Sequence, residues 1–182
     1  LKKYNLKPVD ASLNDSNGGS IRVFVKHVDQ LIDEESETRL SELRSAEGKM
    51  HLNTDEPYKE FFQRCEKLKE RTLSFIKKEV AAGKRIHAYG ASTKGNTILQ
   101  YYGLDNNLIE AIADRNPDKW YRKTIGTNLK IISEEESRLS KPDYFLILPW
   151  HFLDEFRKRE KEFLNSGGKF IVPLPDFKII EE

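Results

Sequence analysis

From Gly83 onward, short apolar runs alternate with short helical patterns, and this alternation confines the chain to a narrow set of folds. Ile86 to Tyr89, Ile109 to Ala113, Leu129 to Ile132, Tyr144 to Leu148 and Phe170 to Val172 read as strands. The fourth is a continuous apolar run of the kind covered on both faces of a parallel sheet. Between them, Gly95 to Tyr102 carries Ile98, Leu99 and Tyr102 and stops at Gly103, while Ser133 to Leu139 opens on a capping serine. Phe152 to Leu164 carries Phe152, Phe156 and Phe163 and stops at Gly167-Gly168. Strand and helix in turn predict right-handed βαβ units, hence an α/β fold with a doubly wound, mainly parallel sheet.

Upstream the texture differs. Residues 1–20 are dense in turn formers (Pro8, Asp10, Asn14 to Asn17, Gly18, Gly19) and read as a lead-in loop. Ile21, Val23 and Val25 then alternate with Arg22, Phe24 and Lys26, the period of a strand. The Glu-, Ser- and Arg-rich stretch from Asp29 to Lys49 reads as a solvated face or mobile connection. Thr54-Asp55-Glu56-Pro57 opens a long helix that runs to Gly83, with Phe61, Cys65, Leu68, Thr72, Phe75, Ile76 and Val80 on one face. That stripe predicts core, with Cys65 as a small buried apolar residue. The 182 residues thus predict one domain overall, residues 1–53 leading in and packing on an α/β body over 54–182.

Several function classes fall away on composition. Lys plus Arg number 31 against 30 Asp plus Glu, a formal charge of +1, so the broad field of a nucleic-acid or membrane-surface binder is missing. No apolar run approaches the ~20 residues of a bilayer span, and Leu1-Lys2-Lys3-Tyr4 lacks a secretory core, which predicts a cytoplasmic protein. A lone cysteine and the scattered His27, His51 and His87 offer no metal-ligand spacing, and no Ser-His-Asp arrangement or spaced carboxylate pair is visible. We expect no catalytic residue and no metal site. The chain opens without methionine on a charged, turn-rich segment, which predicts a piece of a longer polypeptide.

In an open parallel sheet, ligands bind outside the carboxyl ends of the strands. The first predicted strand of the body ends in Gly90-Ala91-Ser92-Thr93-Lys94-Gly95-Asn96-Thr97, a polar turn with a lysine feeding a helix. Such a turn is either a phosphate cradle or an ordinary tight strand-to-helix connection. It is not a P-loop, because Lys94 precedes Gly95; nor is it a full dinucleotide fingerprint, because Ser92 stands where the second glycine belongs. Asp114, 24 residues after Gly90, either accepts from ribose hydroxyls or caps a turn with Asn116 and Pro117. Lys119, Arg122 and Lys123 follow within a loop closed by Gly126 as a cluster able to face an anion. Trp150-His151 after the fourth strand either stacks on a base or sugar or caps the next helix.

Taken in order, Asn17 to Arg22, Tyr89-Gly90-Ala91 through Lys94 to Thr97, Asp114 to Pro117 with Lys119, Leu148-Pro149-Trp150 and Gly167 to Pro173 resemble the C-terminal domain of the S-adenosylmethionine-dependent sugar C-methyltransferases. The resemblance covers nearly the whole chain and implies a Rossmann-like domain. It also implies an upstream methyltransferase domain of the same chain that holds S-adenosylmethionine, with a nucleotide-linked keto-deoxy sugar as substrate. The positions it carries over for the sugar-nucleotide site are Arg22, Gly90, Lys94, Gly95, Asn96, Thr97, Asp114, Arg115, Lys119 and Trp150; Ser92, Thr93 and His151 join them from the reading of the strand ends. The domain would supply position and no protons. A free-standing nucleotide or dinucleotide module, or a purely structural domain of the same enzyme, are the alternative readings.

Overall fold

The computed structural model describes residues 1–181, and its contacts divide the chain into two compact units, the first ending at Phe62 and the second starting at Gln63. The first unit holds an antiparallel hairpin of β1 (Leu6–Asn14) and β2 (Ser20–His27), followed by α1 (Glu34–Lys49). Two expectations fail here. Residues 6–14 form a strand despite Pro8, Asp10 and Asn14, because a register shift between Pro8 and Asp10 absorbs the proline and Asp10 pairs with Arg39 through two hydrogen bonds of 2.9 Å. The stretch from Glu34 to Lys49 is a helix: Asp33 caps it by accepting from the Ser36 N–H at 2.8 Å, three glutamates occupy its first turn, and Leu40 is buried.

Helix α2 (Glu56–Ala81) falls where its opener and stop place it, and the division between the units lies inside it. Its apolar stripe is core only in the second half. Thr72 and Ile76 are fully buried, Cys65 is half-buried, and Phe61 lies in the open.

The second unit is a six-stranded sheet of order β5-β4-β3-β6-β7-β8. Its strands are β3 (Ile86–Tyr89), β4 (Ala111–Ala113), β5 (Ile131–Ile132), β6 (Tyr144–Ile147), β7 (Lys169–Val172) and β8 (Lys178–Ile180). All neighbours pair in parallel except β7 and β8. Strand β3 lies at the centre, with the chain leaving first towards β4 and β5 and then crossing to β6 and β7, so the order reverses between β3 and β6.

Alternate residues of β3 enter opposite layers. Ile86 and Ala88 pack with Ile76 of α2 and with Ile98, Leu99 and Tyr102 of α3 (Thr93–Tyr102). On the other face Tyr89 packs with Phe145, Ile147, Phe156, Leu164 and Phe170, where α4 (Glu134–Leu139), α5 (Leu153–Arg159) and α6 (Lys161–Asn165) lie. Burying each of the larger apolar side chains among these contributes roughly 1.5–3 kcal/mol, so this two-sided layer dominates the unit's stability. The expected single helix over 152–164 is broken at Glu160, which leaves helical geometry (φ −102, ψ 26) and is buried, its Oε1 taken by Tyr89 and Arg138 and its Oε2 buried without a partner among the described residues.

Candidate functional site

The turn after β3 is shaped by packing. Gly90 adopts φ +86, and a Cβ there would stand 2.7 Å from the Pro149 side chain at the exit of β6. At Gly95 a Cβ would stand 2.7 Å from Cβ of Leu148. The first and last glycines of a dinucleotide fingerprint therefore perform their structural duties here, tight turn and close helix–strand approach. Ser92 stands where the phosphate-facing glycine would be, and its hydroxyl caps α3 by accepting from the Gly95 N–H at 3.0 Å.

Asp114, buried at the end of β4, is committed to the protein. Its Oδ2 accepts from the Ala91 N–H at 2.8 Å and from Lys119 Nζ at 3.1 Å, and its Oδ1 accepts from the Asn116 N–H at 2.8 Å. Lys119 Nζ also donates to the Ala91 carbonyl at 2.8 Å, and Trp120 Nε1 donates to the Asp114 carbonyl at 2.7 Å. These bonds tie the exits of β3 and β4 together.

A cleft of about 290 Å³ opens at this rim, beside the reversal of strand order. Gly90, Ser92, Asp114, Arg115 and Lys119 line one side. The other side comes from α4 and the segment through α5: Glu134, Phe152, Glu155, Phe156 and Arg159. Arg159 donates to Glu134 at 2.9 Å, pairs with Glu155 and lies 5.5 Å over the Phe156 ring; Arg115 approaches Glu155 at 3.7 Å. Beneath them the Tyr89 hydroxyl donates to Glu160 Oε1 at 2.7 Å, and Arg138 donates to the same oxygen at 2.6 Å. Burial, reinforced by the Glu160 bond, pushes the Tyr89 phenol far above its ordinary range, so it remains protonated. A larger hollow of about 500 Å³ lies by Lys141 to Asp143 and Gly167-Gly168, at the amino ends of β6 and β7. Ligands of parallel sheets use the opposite edge, where loops diverge and strand order reverses, so the smaller cleft is the candidate.

The remaining expected residues lie elsewhere. Thr93, Lys94, Gly95, Asn96 and Thr97 form the first turn of α3; Thr93, Lys94 and Thr97 are exposed, and Asn96 Oδ1 is buried without a protein partner. Trp150 packs against both core layers, and the His151 ring sits between Trp150 and Phe152 with Nδ1 buried and unpartnered. Arg22 stands on β2 of the first unit. Sequence reasoning misses Glu134, Phe152, Glu155, Phe156 and Arg159 as cleft residues. The Glu155–Arg159 spacing of four on a helix is the one signal that could have raised that pair.

His87 Nδ1 lies 2.8 Å from Ser137 Oγ and Nε2 lies 3.4 Å from Glu110. Both His87 and Ser137 are buried, which denies this trio a substrate, and burial pushes the His87 pKa below its ordinary value.

A mostly parallel α/β sheet with its cleft at the strand-order reversal defines a Rossmann-like domain. Residues 15–175 match the family described as the C-methyltransferase C-terminal domain, and the chain belongs to that family. It is similar to the C-methyltransferase NovU of Streptomyces niveus, with 33% identity over 180 residues. That match covers 99% of the chain and 42% of the relative's length.

Proposed function

We propose that this domain holds a nucleotide-linked keto-deoxy sugar for a C-methyltransferase whose S-adenosylmethionine is bound by an upstream domain of the same chain, in the cytoplasm. The observation that carries this reading is the cleft at the strand-order reversal, which offers Arg115 and Lys119 from the loop after β4, Arg159 from α5 and the Phe152 ring. Guanidinium forks and an ammonium suit diphosphate oxygens, and the ring suits an apolar face of sugar or base.

S-adenosylmethionine does not fit the residues described. Asp114, the acid placed to accept from ribose hydroxyls, is already filled by two N–H groups and Lys119, and the approach a nucleotide backbone needs is filled by Ser92. Methylation of carbon requires a base to remove a proton beside a keto group. Tyr89 keeps its own proton, and Asp114 and Glu134 are held by cations, so the chain's residues orient the substrate and leave proton removal to the rest of the enzyme. This also counts against a dinucleotide module.

Calorimetry on the chain tests the reading. A nucleoside diphosphosugar should bind and S-adenosylmethionine should not, with Arg115→Ala weakening the sugar nucleotide roughly tenfold to 150-fold, the worth of a charge-assisted contact. Tight S-adenosylmethionine binding, or sugar-nucleotide affinity indifferent to Arg115→Ala, would contradict it.

A further inference from the structure

We propose that Glu155 occupies the place of the ligand's anion, and that a diphosphate enters by displacing this carboxylate from the two arginines it bridges. The inference rests on the reading of the cleft as a sugar-nucleotide site, and it names the residue that regulates access to it.

Glu155 pairs with Arg159 one helical turn later and approaches Arg115, on the loop after β4, at 3.7 Å. One carboxylate therefore draws together guanidinium groups from two separate elements, the geometry a phosphate would otherwise adopt. The two acids on Arg159 are not equivalent. Glu134 is 13% exposed and is tethered a second time by Arg138, whose guanidinium lies 3.9 Å from its other carboxylate oxygen. Glu155 is 51% exposed, at the mouth. A half-exposed bridge of this kind is weak and screened by solvent, and a glutamate leaves it by a rotamer change alone.

Charge pairing leads to the same residue. Asp114 offsets Lys119 at 3.1 Å, and Glu134 offsets Arg159 at 2.9 Å, which leaves Arg115 and Glu155 as the cleft's remaining charges. With Glu155 in place the cleft is neutral. Once it swings out, the same cleft carries one net positive charge beside two arginine forks. Glu155 thus disfavours weak or singly charged anions, while a diphosphate brings enough charge and enough acceptor oxygens to replace it on both arginines.

The test is calorimetric titration of the chain with inorganic pyrophosphate at low ionic strength. Glu155→Gln should bind roughly three- to tenfold tighter than the unaltered chain, since one exposed competing bridge is removed from each arginine. Arg115→Gln should bind more weakly. Asp154→Asn removes the same charge from the adjacent exposed position outside the bridge and should change affinity less than about twofold. No gain in Glu155→Gln, an equal gain in Asp154→Asn, or no pyrophosphate binding to any variant overturns the proposal. A nucleoside diphosphosugar run on the same variants separates the two readings. If it binds but ignores Glu155→Gln, this inference fails and the function stands; if it does not bind while pyrophosphate shows the gain, the function fails and this inference stands.

Discussion

Strands β2 and β3 read almost equally well in the sequence, yet they live in opposite surroundings. All eight residues of β2 are exposed, Ile21, Val23, Phe24 and Val25 among them, whereas all four of β3 are buried. Alternation in β2 correctly announces a strand and wrongly implies a covered face. The difference teaches that periodicity reports backbone geometry, while burial depends on what arrives from elsewhere in the chain. The hairpin gains α1 against β1, with Val9, Ala11 and Leu40 buried; β3 gains strands on both edges and helices on both faces.

The largest expected effect breaks the comparison at the core. Phe145→Ala removes a fully buried ring that packs on Tyr89, Phe163 and Phe170 and should cost about 3–5 kcal/mol. Phe24→Ala, on a half-open strand face, should stay within about 0.5 kcal/mol. Urea unfolding of both variants measures the contrast. Comparable losses would mean that the β2 face is covered by something in solution.

Glycine-to-alanine changes sharpen it with opposite signs. At Gly95 the new methyl meets Leu148, so Gly95→Ala should destabilise by about 1–3 kcal/mol. Gly48, in α1 of the first unit, has nothing within 4 Å, so Gly48→Ala should stabilise by about 0.5–1 kcal/mol through better helix propensity. Thermal unfolding monitored by circular dichroism gives both signs directly.

The same contrast sets what could be read in advance. The sheet was legible because strands β3, β4, β6 and β7 are buried on both faces and therefore nearly continuous in apolar residues, with Ser92, Ser133 and Gly103 marking helix ends. Strand β1 was hidden because its turn formers do tertiary work: Asp10 looks outward in the sequence but binds Arg39 in space. Helix α1 was hidden because its cover is thin and its charges dominate. In the cleft, Gly90, Ser92, Asp114 and Arg115 were legible because they directly follow strands, where a general rule places ligands, and Lys119 because it belongs to the basic loop beyond them. Glu134, Glu155 and Arg159 were not, because they come from helices whose polar residues look solvated until the strand-order reversal brings them over β3.

The last effect concerns pH, and it separates the two units by the window in which each loses stability. His87 has its folded pKa pushed below the ordinary 6.5 by burial, so below pH 6.5 the unfolded chain takes up a proton that the folded one refuses. Its contribution to the second unit is complete above that pH and declines as pH falls through the unfolded value, by at most about 1.4 kcal/mol per pH unit for one proton. Asp10 of the first unit is held below the usual carboxylate range by its bond to Arg39, so its contribution is complete above pH 3.8 and is lost only as pH falls below that. Acidification from neutrality should therefore weaken the Phe145-containing layer first, while the hairpin and α1 keep their Asp10 bridge. His87→Gln should flatten the decline between neutrality and the carboxylate range, and Asp10→Asn should leave that decline intact. Urea unfolding across this window, read from probes in each unit, decides it: a decline unchanged in His87→Gln would show that another group buried in the sheet governs the acid response.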